Sequence, residues 1–353
     1  MAAPALRHLL LATLLLIPCF AVAQPGYRIE LSPDLYGRIV RTDPDEVFSP
    51  GFVTIHRKKD GKQLIRVDSE ELTLDLHEGR ALANIKQLPY GEQSAIHYED
   101  VNFDGVKDLA VMDGQNSCYH GPSFQIYLGV KGDPGKFVPS APFTELAQKY
   151  CGMFQVDHAK KLLHTMTKSG CCWHQYSTYR VIDGLPRPID IVEQDQRTPG
   201  IEFTEEAKWD GKKMVKKREV RIDPVALADD LVFSFDVERR DAKVVLFRAC
   251  GDALAYALIR KDGHVDFLYP KALCSAEEST EKPAFRFESD ALLRSLIFGN
   301  SSALYTVYEN LETGEVGIGI VQEKGTVTWK AIPGSEKGSL DLGEFRNVEY
   351  RRR

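Results

Sequence analysis

Turn chemistry constrains this chain more than any other feature of it. Asp60-Gly61, Asp183-Gly184, Asp210-Gly211 and Asp262-Gly263 each stand between short strand-like runs, and Thr313-Gly314 and Glu323-Lys324-Gly325 add two further turns. Asp-Gly between alternating runs is the strongest short-range hairpin signal, because Asp and Gly accept the positive φ of a tight turn that matches strand twist. Strand-like runs fall at residues 52–56, 72–76, 124–129, 178–182, 244–247, 264–269, 305–309 and 316–321. Helical character is scarce. Residues 143–150 predict one short helix with Thr144 as its cap, and 289–298 reads equally as helix or strand. The sum is an all-β protein of many short strands. A propeller of dissimilar blades and a pair of packed sheets both fit that pattern.

One loop carries metal chemistry. In Asp100-Val-Asn102-Phe-Asp104-Gly105-Val-Lys-Asp108, oxygen side chains occupy relative positions 1, 3, 5 and 9, with Gly at 6. That spacing wraps a hard cation such as Ca²⁺. Asp100, Asn102, Asp104 and Asp108 would supply side-chain oxygens, Val106 its carbonyl, and Gly105 the sharp turn. Position 12 is Val111, so the bidentate Glu of a helical EF-hand is missing. Ala95-Ile96-His97-Tyr98 before the loop and Leu109-Ala110-Val111-Met112 after it both read as strands. The expectation is a calcium loop between strands, favoured over a plain Asp/Asn/Gly turn. Asp113 offers an outer ligand or a turn cap.

The N-terminus reads as a secretory leader, residues 1–23: Arg7 and His8, an apolar run, then Ala21-Val22-Ala23 as a small-residue cleavage site. Leu16-Ile17-Pro18-Cys19 departs from a lipoprotein box at Pro18. No other segment is long and apolar enough to suggest a membrane span. Removing the leader takes away Arg7 and leaves 44 basic against 51 acidic side chains over 330 residues, a net of −7. That balance disfavours nucleic acid and anionic membrane as partners.

Six cysteines remain: Cys118, Cys151, Cys171, Cys172, Cys250 and Cys274. An even count in an exported chain reads as disulfides. Position predicts Cys250–Cys274 in the second half, and Cys118 and Cys151 paired with Cys171 and Cys172 in either order; a direct Cys171–Cys172 bond is the strained alternative. Zinc on Cys171, Cys172 and His174 lacks the usual spacing, and a Cys–His nucleophile is disfavoured where thiols are cross-linked. The segment around these cysteines instead suggests a rigid loop presenting Trp173, His174 and Tyr176 to a partner, with Tyr179 turned into the core. No hydrolase elbow, zincin motif, phosphate loop or dinucleotide fingerprint is present, so the chain reads as a binding protein and not an enzyme.

Two stretches together carry a family resemblance. The first is the calcium loop with Gly121-Pro122-Ser123-Phe124-Gln125-Ile126-Tyr127-Leu128. The second is Lys168-Ser169-Gly170-Cys171-Cys172-Trp173-His174 with Tyr179-Arg180-Val181-Ile182-Asp183-Gly184. In that order they resemble the periplasmic lysozyme inhibitors that serve as immunity proteins for bacterium-killing type IV secretion systems, over roughly residues 50–215. The loop by itself is shared with FG-GAP-type repeats. The resemblance implies a periplasmic β-propeller-like domain with structural Ca²⁺ on Asp100, Asn102, Asp104, Val106 and Asp108. It also implies a lysozyme-like glycoside hydrolase as the partner, blocked by a Ser-Gly loop corresponding to Ser169-Gly170 with Lys168, Trp173, His174 and Tyr176. The whole expectation is then a propeller-like domain at 24–222, a linker at 223–230, and a smaller β-sandwich or β-barrel-like domain at 231–350. A calcium-stapled recognition module for another protein or glycan is the alternative function.

Overall fold

The computed structural model describes residues 26–87, 91–249, 251–271, 273 and 283–352. The expected leader and the expected Cys250–Cys274 pair lie outside them. The protein is all-β. Strands β1 (Gly26–Glu30), β2 (Leu35–Arg41), β3 (Ser49–Arg57) and β4 (Gln63–Leu72) form one sheet in sequence order. Strands β5 (Ile96–Glu99), β6 (Asp108–Gly114), β7 (Ser123–Gly129) and β8 (Phe137–Pro139) form the next. Helix α1 (Ala141–Lys149) follows. The third sheet holds β9 (Gln155–Asp157), β10 (Leu162–Ser169), β11 (Trp173–Ile182), β12 (Leu185–Asp195), β13 (Ile201–Trp209) and β14 (Met214–Ile222). These are three antiparallel meanders of the kind stacked as propeller blades, with no strand shared between them among the described residues.

The residue patterns explain the elements. On β4, buried Ile65, Val67 and Ser69 alternate with exposed Arg66, Asp68 and Glu70, the period of a strand with one covered face. On β6, Leu109-Ala110-Val111-Met112 is buried throughout, so it reads as a continuous apolar run. One core joins the three sheets through Ile55, Val67, Ile96, Val111, Phe124 and Leu163, with Phe143 from α1. Tyr179 belongs to it as expected, and its hydroxyl meets that of Tyr150 at 2.6 Å.

Four more strands, β15 (Leu231–Asp236), β16 (Lys243–Ala249), β17 (Ala253–Ile259) and β18 (Val265–Tyr269), face a sheet of β19 (Phe285–Ser289), β20 (Leu293–Gly299), β21 (Ala303–Asn310), β22 (Val316–Gln322) and β23 (Gly325–Lys330). β24 (Lys337–Gly338) extends the first of these along β15, and β25 (Val348–Arg352) runs parallel to β19. Phe235, Tyr256, Phe287, Phe298 and Ile318 fill the space between the layers, which makes a sandwich. The outer face, with Val245, Phe247, Ala255 and Ala257, is covered by Ile201, Ile222 and Leu227.

Two local expectations are corrected, and the open choice at 289–298 is decided for strand. Thr144 does not cap α1: Ser140 stands at the N-cap position, and the Thr144 hydroxyl accepts the Ile126 N–H at 2.9 Å, tying the helix to β7. Residues 289–298 are not a helix, because the Asp290 carboxylate accepts the Leu292 and Leu293 N–H groups, each at 2.8 Å, and turns the chain from β19 into β20. Residues 72–76 are not a strand: β4 ends at Leu72 and the chain continues as loop.

His97 on β5 is fully buried against Phe124, and neither ring nitrogen has a hydrogen-bond partner. Burial, aided by the Lys86 charge, pushes its pKa well below the usual 6.5. The unfolded chain therefore takes up a proton here that the folded chain refuses. This site costs no stability above pH 6.5 and costs about 1.4 kcal/mol per pH unit below it. His97→Leu should flatten the fall in unfolding free energy, read from urea denaturation, between neutral and acidic pH by about that amount. Parallel pH profiles for the two proteins would show that His97 charges freely in the native state.

Candidate functional site

The loop from Asp100 to Asp108 joins β5 to β6, strands on both sides as its flanks predicted. Its side chains fold onto its own backbone. Asp100 accepts from the Asp104 and Gly105 N–H groups at 3.2 and 2.9 Å, Asn102 from Asp104 at 3.1 Å, and Asp104 from Val106 at 2.7 Å. Gly105 takes φ +89°, which a side chain would strain. Asp108 stands apart. It is buried, its Oδ2 accepts from Val101 and Asn102 and its Oδ1 from Gly129 at 2.8 Å, so it buckles the loop base to the end of β7. Burial pushes its carboxyl up to about 6 against the pull of those three donors. Asp100, Asn102 and Asp104 with the Val106 carbonyl make an oxygen-only donor set, the chemistry a hard cation takes. Among the described residues, no three His, Cys, Asp or Glu side chains are gathered closely enough to hold a metal on their own.

The residues expected to meet a partner lie on the β10–β11 hairpin. Lys168 pairs with His174 and Ser169 with Trp173 across the strands, and Gly170-Cys171-Cys172 makes the tip, with Gly170 at φ +64°. The pleat divides the set. Lys168, His174 and Tyr176 share one face, where the His174 and Tyr176 rings stack at 6.4 Å and Tyr176 is 46% exposed. Ser169 and Trp173 share the other face, so Trp173 is not presented together with His174 and Tyr176.

The expected disulfide pairing is overturned. Cys171 bonds to its neighbour Cys172, and Cys118 bonds to Cys151. The hairpin explains why. Both tip cysteines project beyond the last strand pair. Cys151 is held further down by its N–H to the Met166 carbonyl at 2.8 Å, and the Cys118 Cα lies 4.8 Å from its own. Two bridges among the described residues suit an oxidising compartment.

Tyr119 carries no motif in the sequence that marks it. Its hydroxyl accepts the Gly170 N–H, and the Lys168 ammonium lies 4.8 Å from its ring centre. Tyr119 and His120 both hold positive φ, 53° and 57°, directly after the Cys118 bridge. Non-glycine residues in this region are uncommon and concentrate at functional sites. Asp113 accepts from Ser123 and Gln148, each at 2.6 Å, and so anchors this loop to α1 as a structural cap. Beside Tyr119 opens a cleft of about 570 Å³, walled by residues 44–48, 73–75, 91–93 and 118–122. Cys-Tyr-His-Gly-Pro was the signal available, a cysteine followed by an aromatic pair and a turn.

No protein-family model matches the chain, and no curated protein does. Among solved structures, the chain is similar to one titled "Structure of a Xanthomonas Type IV Secretion System related protein". That match has 18% identity, covers 55% of this chain and 93% of that one, and has a TM-score of 0.44. A second match, the AfRom2 CNH domain, has 10% identity over 65% of this chain and 92% of that one, with a TM-score of 0.17. Both likenesses are shallow, and neither assigns a function.

Asp108→Ala removes the acceptor of three backbone N–H groups and should destabilise the protein by about 2–4 kcal/mol. Asp108→Asn keeps one acceptor oxygen and should cost less. Urea midpoints of the two variants check this order, and equal losses would refute the buckle.

Proposed function

We propose that this chain is an exported, calcium-stabilised binding protein of the periplasm that inhibits a lysozyme-like peptidoglycan hydrolase. The observation that carries the reading is the hairpin. Its tip is closed by the Cys171–Cys172 bridge, seated on Tyr119, and presents Lys168, His174 and Tyr176 on one face. A loop stiffened before docking loses less entropy on binding. Aromatic and basic side chains are frequent anchors at interfaces. The two stretches that resemble the secretion-system immunity proteins contain this hairpin and the β5–β6 loop. The net negative charge speeds encounter with a cationic enzyme.

Ca²⁺ in this reading is structural. Asp100, Asn102, Asp104 and the Val106 carbonyl would hold it, with Asp108 bracing the loop from below. Action is by occlusion of the hydrolase, with no catalytic residue in this chain. Among the described residues no helix is long and apolar enough to cross a membrane.

The test is lysis of purified peptidoglycan by a panel of lysozyme-like hydrolases, with and without the protein, in Ca²⁺ and in chelator. Dose-dependent protection that weakens in chelator is expected. Ca²⁺ should also raise the melting temperature of the parent protein and leave that of Asp104→Ala unchanged. Absence of protection with the fold intact would point instead to a recognition module for another ligand. Release of sugar by the protein itself would make it an enzyme.

A further inference from the structure

The cleft beside Tyr119 has a charge pattern that the inhibitor reading does not use. Its apolar part is contributed by Val47, Phe48, Leu74, Tyr119 and Pro122. Three of these are well exposed: Val47 at 70%, Phe48 at 45% and Tyr119 at 59%. Scattered exposed apolar side chains need no explanation, but here they converge on one concave surface. Four carboxylates line the same cleft, on Asp45, Glu46, Asp75 and Glu92. Glu92 is matched by His77 at 2.5 Å. The guanidinium of the lining is that of Arg41, whose Nη2 donates to the Val47 carbonyl at 3.3 Å. His120 is matched by Glu71, at 3.0 Å, and packs its ring edge-on to Phe48. Asp45, Glu46 and Asp75 are exposed, and among the described residues no ion pair offsets them.

A groove with an aromatic floor and surplus negative charge suits a cationic segment, whose alkyl stems lie along the rings while the charged heads reach the carboxylates. The floor is also built firmly. Cys118–Cys151 fixes the base of the Tyr119 turn, and the hairpin tip leans on the Tyr119 hydroxyl. The hairpin and the cleft therefore adjoin at Tyr119.

We propose that this cleft is the docking groove for a Lys/Arg-rich segment of the protein partner, seated beside the hairpin. The identity of that partner as a lysozyme-like hydrolase rests on the function proposed above; the charge preference of the groove does not.

Two arms of one experiment separate these. In the first, the full chain from Gln24 is titrated with a synthetic peptide of Lys, Arg and Gly around one Trp, at low and high salt. In the second, inhibition of the hydrolase panel is measured. Both arms compare the parent with Asp45→Lys/Glu46→Lys/Asp75→Lys and with the hairpin variant Tyr176→Ala. Saturable, salt-sensitive peptide binding is expected, weakened about tenfold or more by the charge reversal and little changed by Tyr176→Ala. Inhibition should fall with both variants. Asp75→Asn alone, a milder change on an exposed loop, should give a smaller loss in the same direction and keeps the test open if the triple variant is disturbed. Peptide binding that is absent, or unmoved by every cleft variant, overturns the groove. Hydrolase inhibition that survives charge reversal but not Tyr176→Ala also overturns the groove and leaves the inhibitor reading standing. Peptide binding that obeys the pattern without inhibition of any hydrolase supports the groove and defeats the inhibitor reading.

Discussion

The arrangement of the surface follows from strictly sequential hairpin pairing. In an antiparallel meander, alternate loops must emerge at alternate ends. Each of the first three sheets obeys this, so the β2–β3, β6–β7 and β10–β11 connections leave from one end, and the β1–β2, β5–β6 and β9–β10 connections from the other. Contacts between sheets confirm that the ends are aligned. Tyr119 of the β6–β7 loop reaches Gly170 of the β10–β11 tip, while Phe103 of the β5–β6 loop meets His158 of the β9–β10 loop with ring centres 6.1 Å apart. The oxygen-rich loop and the β10–β11 hairpin therefore lie at opposite ends of the meanders. A cation at the first can act on the second only by stiffening the sheets between them.

That separation gives the buried residues of β5 and β6 a particular place. His97, Val111 and Asp108 sit on the strands that connect the two ends through the shared core. Asp108 fixes the start of β6, and the far end of the same strand leads into the Asp113 anchor and the Tyr119 turn. One short strand thus links the oxygen-rich loop to the loop that carries Tyr119. His97 makes that strand pair sensitive to acid, since burial disfavours a charge on its ring.

Legibility in the sequence tracked the range of the interaction concerned. Asp60-Gly61, Asp183-Gly184, Asp210-Gly211 and Asp262-Gly263 all lie between paired strands, with each Gly at positive φ, because a tight turn is decided by its own two residues. The flanks of the Asp100–Asp108 loop were readable for the same reason. Thr144 misled because its hydroxyl is used by Ile126, eighteen residues away and invisible to local pattern. The disulfides misled because spacing along the chain does not say which cysteines a hairpin tip carries out of reach. Tyr119 was missed because its importance comes from Gly170 and Lys168, contacts made across two sheets.

The split of the expected partner residues has a mechanical consequence. Residues 168–176 read along the chain as one continuous aromatic and basic patch, but a strand can show only alternate side chains to one side. Lys168, His174 and Tyr176 share one face, from which Lys168 reaches the Tyr119 ring, and Ser169 and Trp173 share the face that continues into buried Ser177 and Tyr179. A partner that grips the first trio meets an exposed face whose Lys168 reaches Tyr119, whereas the face of Trp173 leads down into the core. Burial thus gives the hairpin a direction: the face of Trp173 is closed lower down by the shared core, and the face of Lys168, His174 and Tyr176 is the one left to a partner.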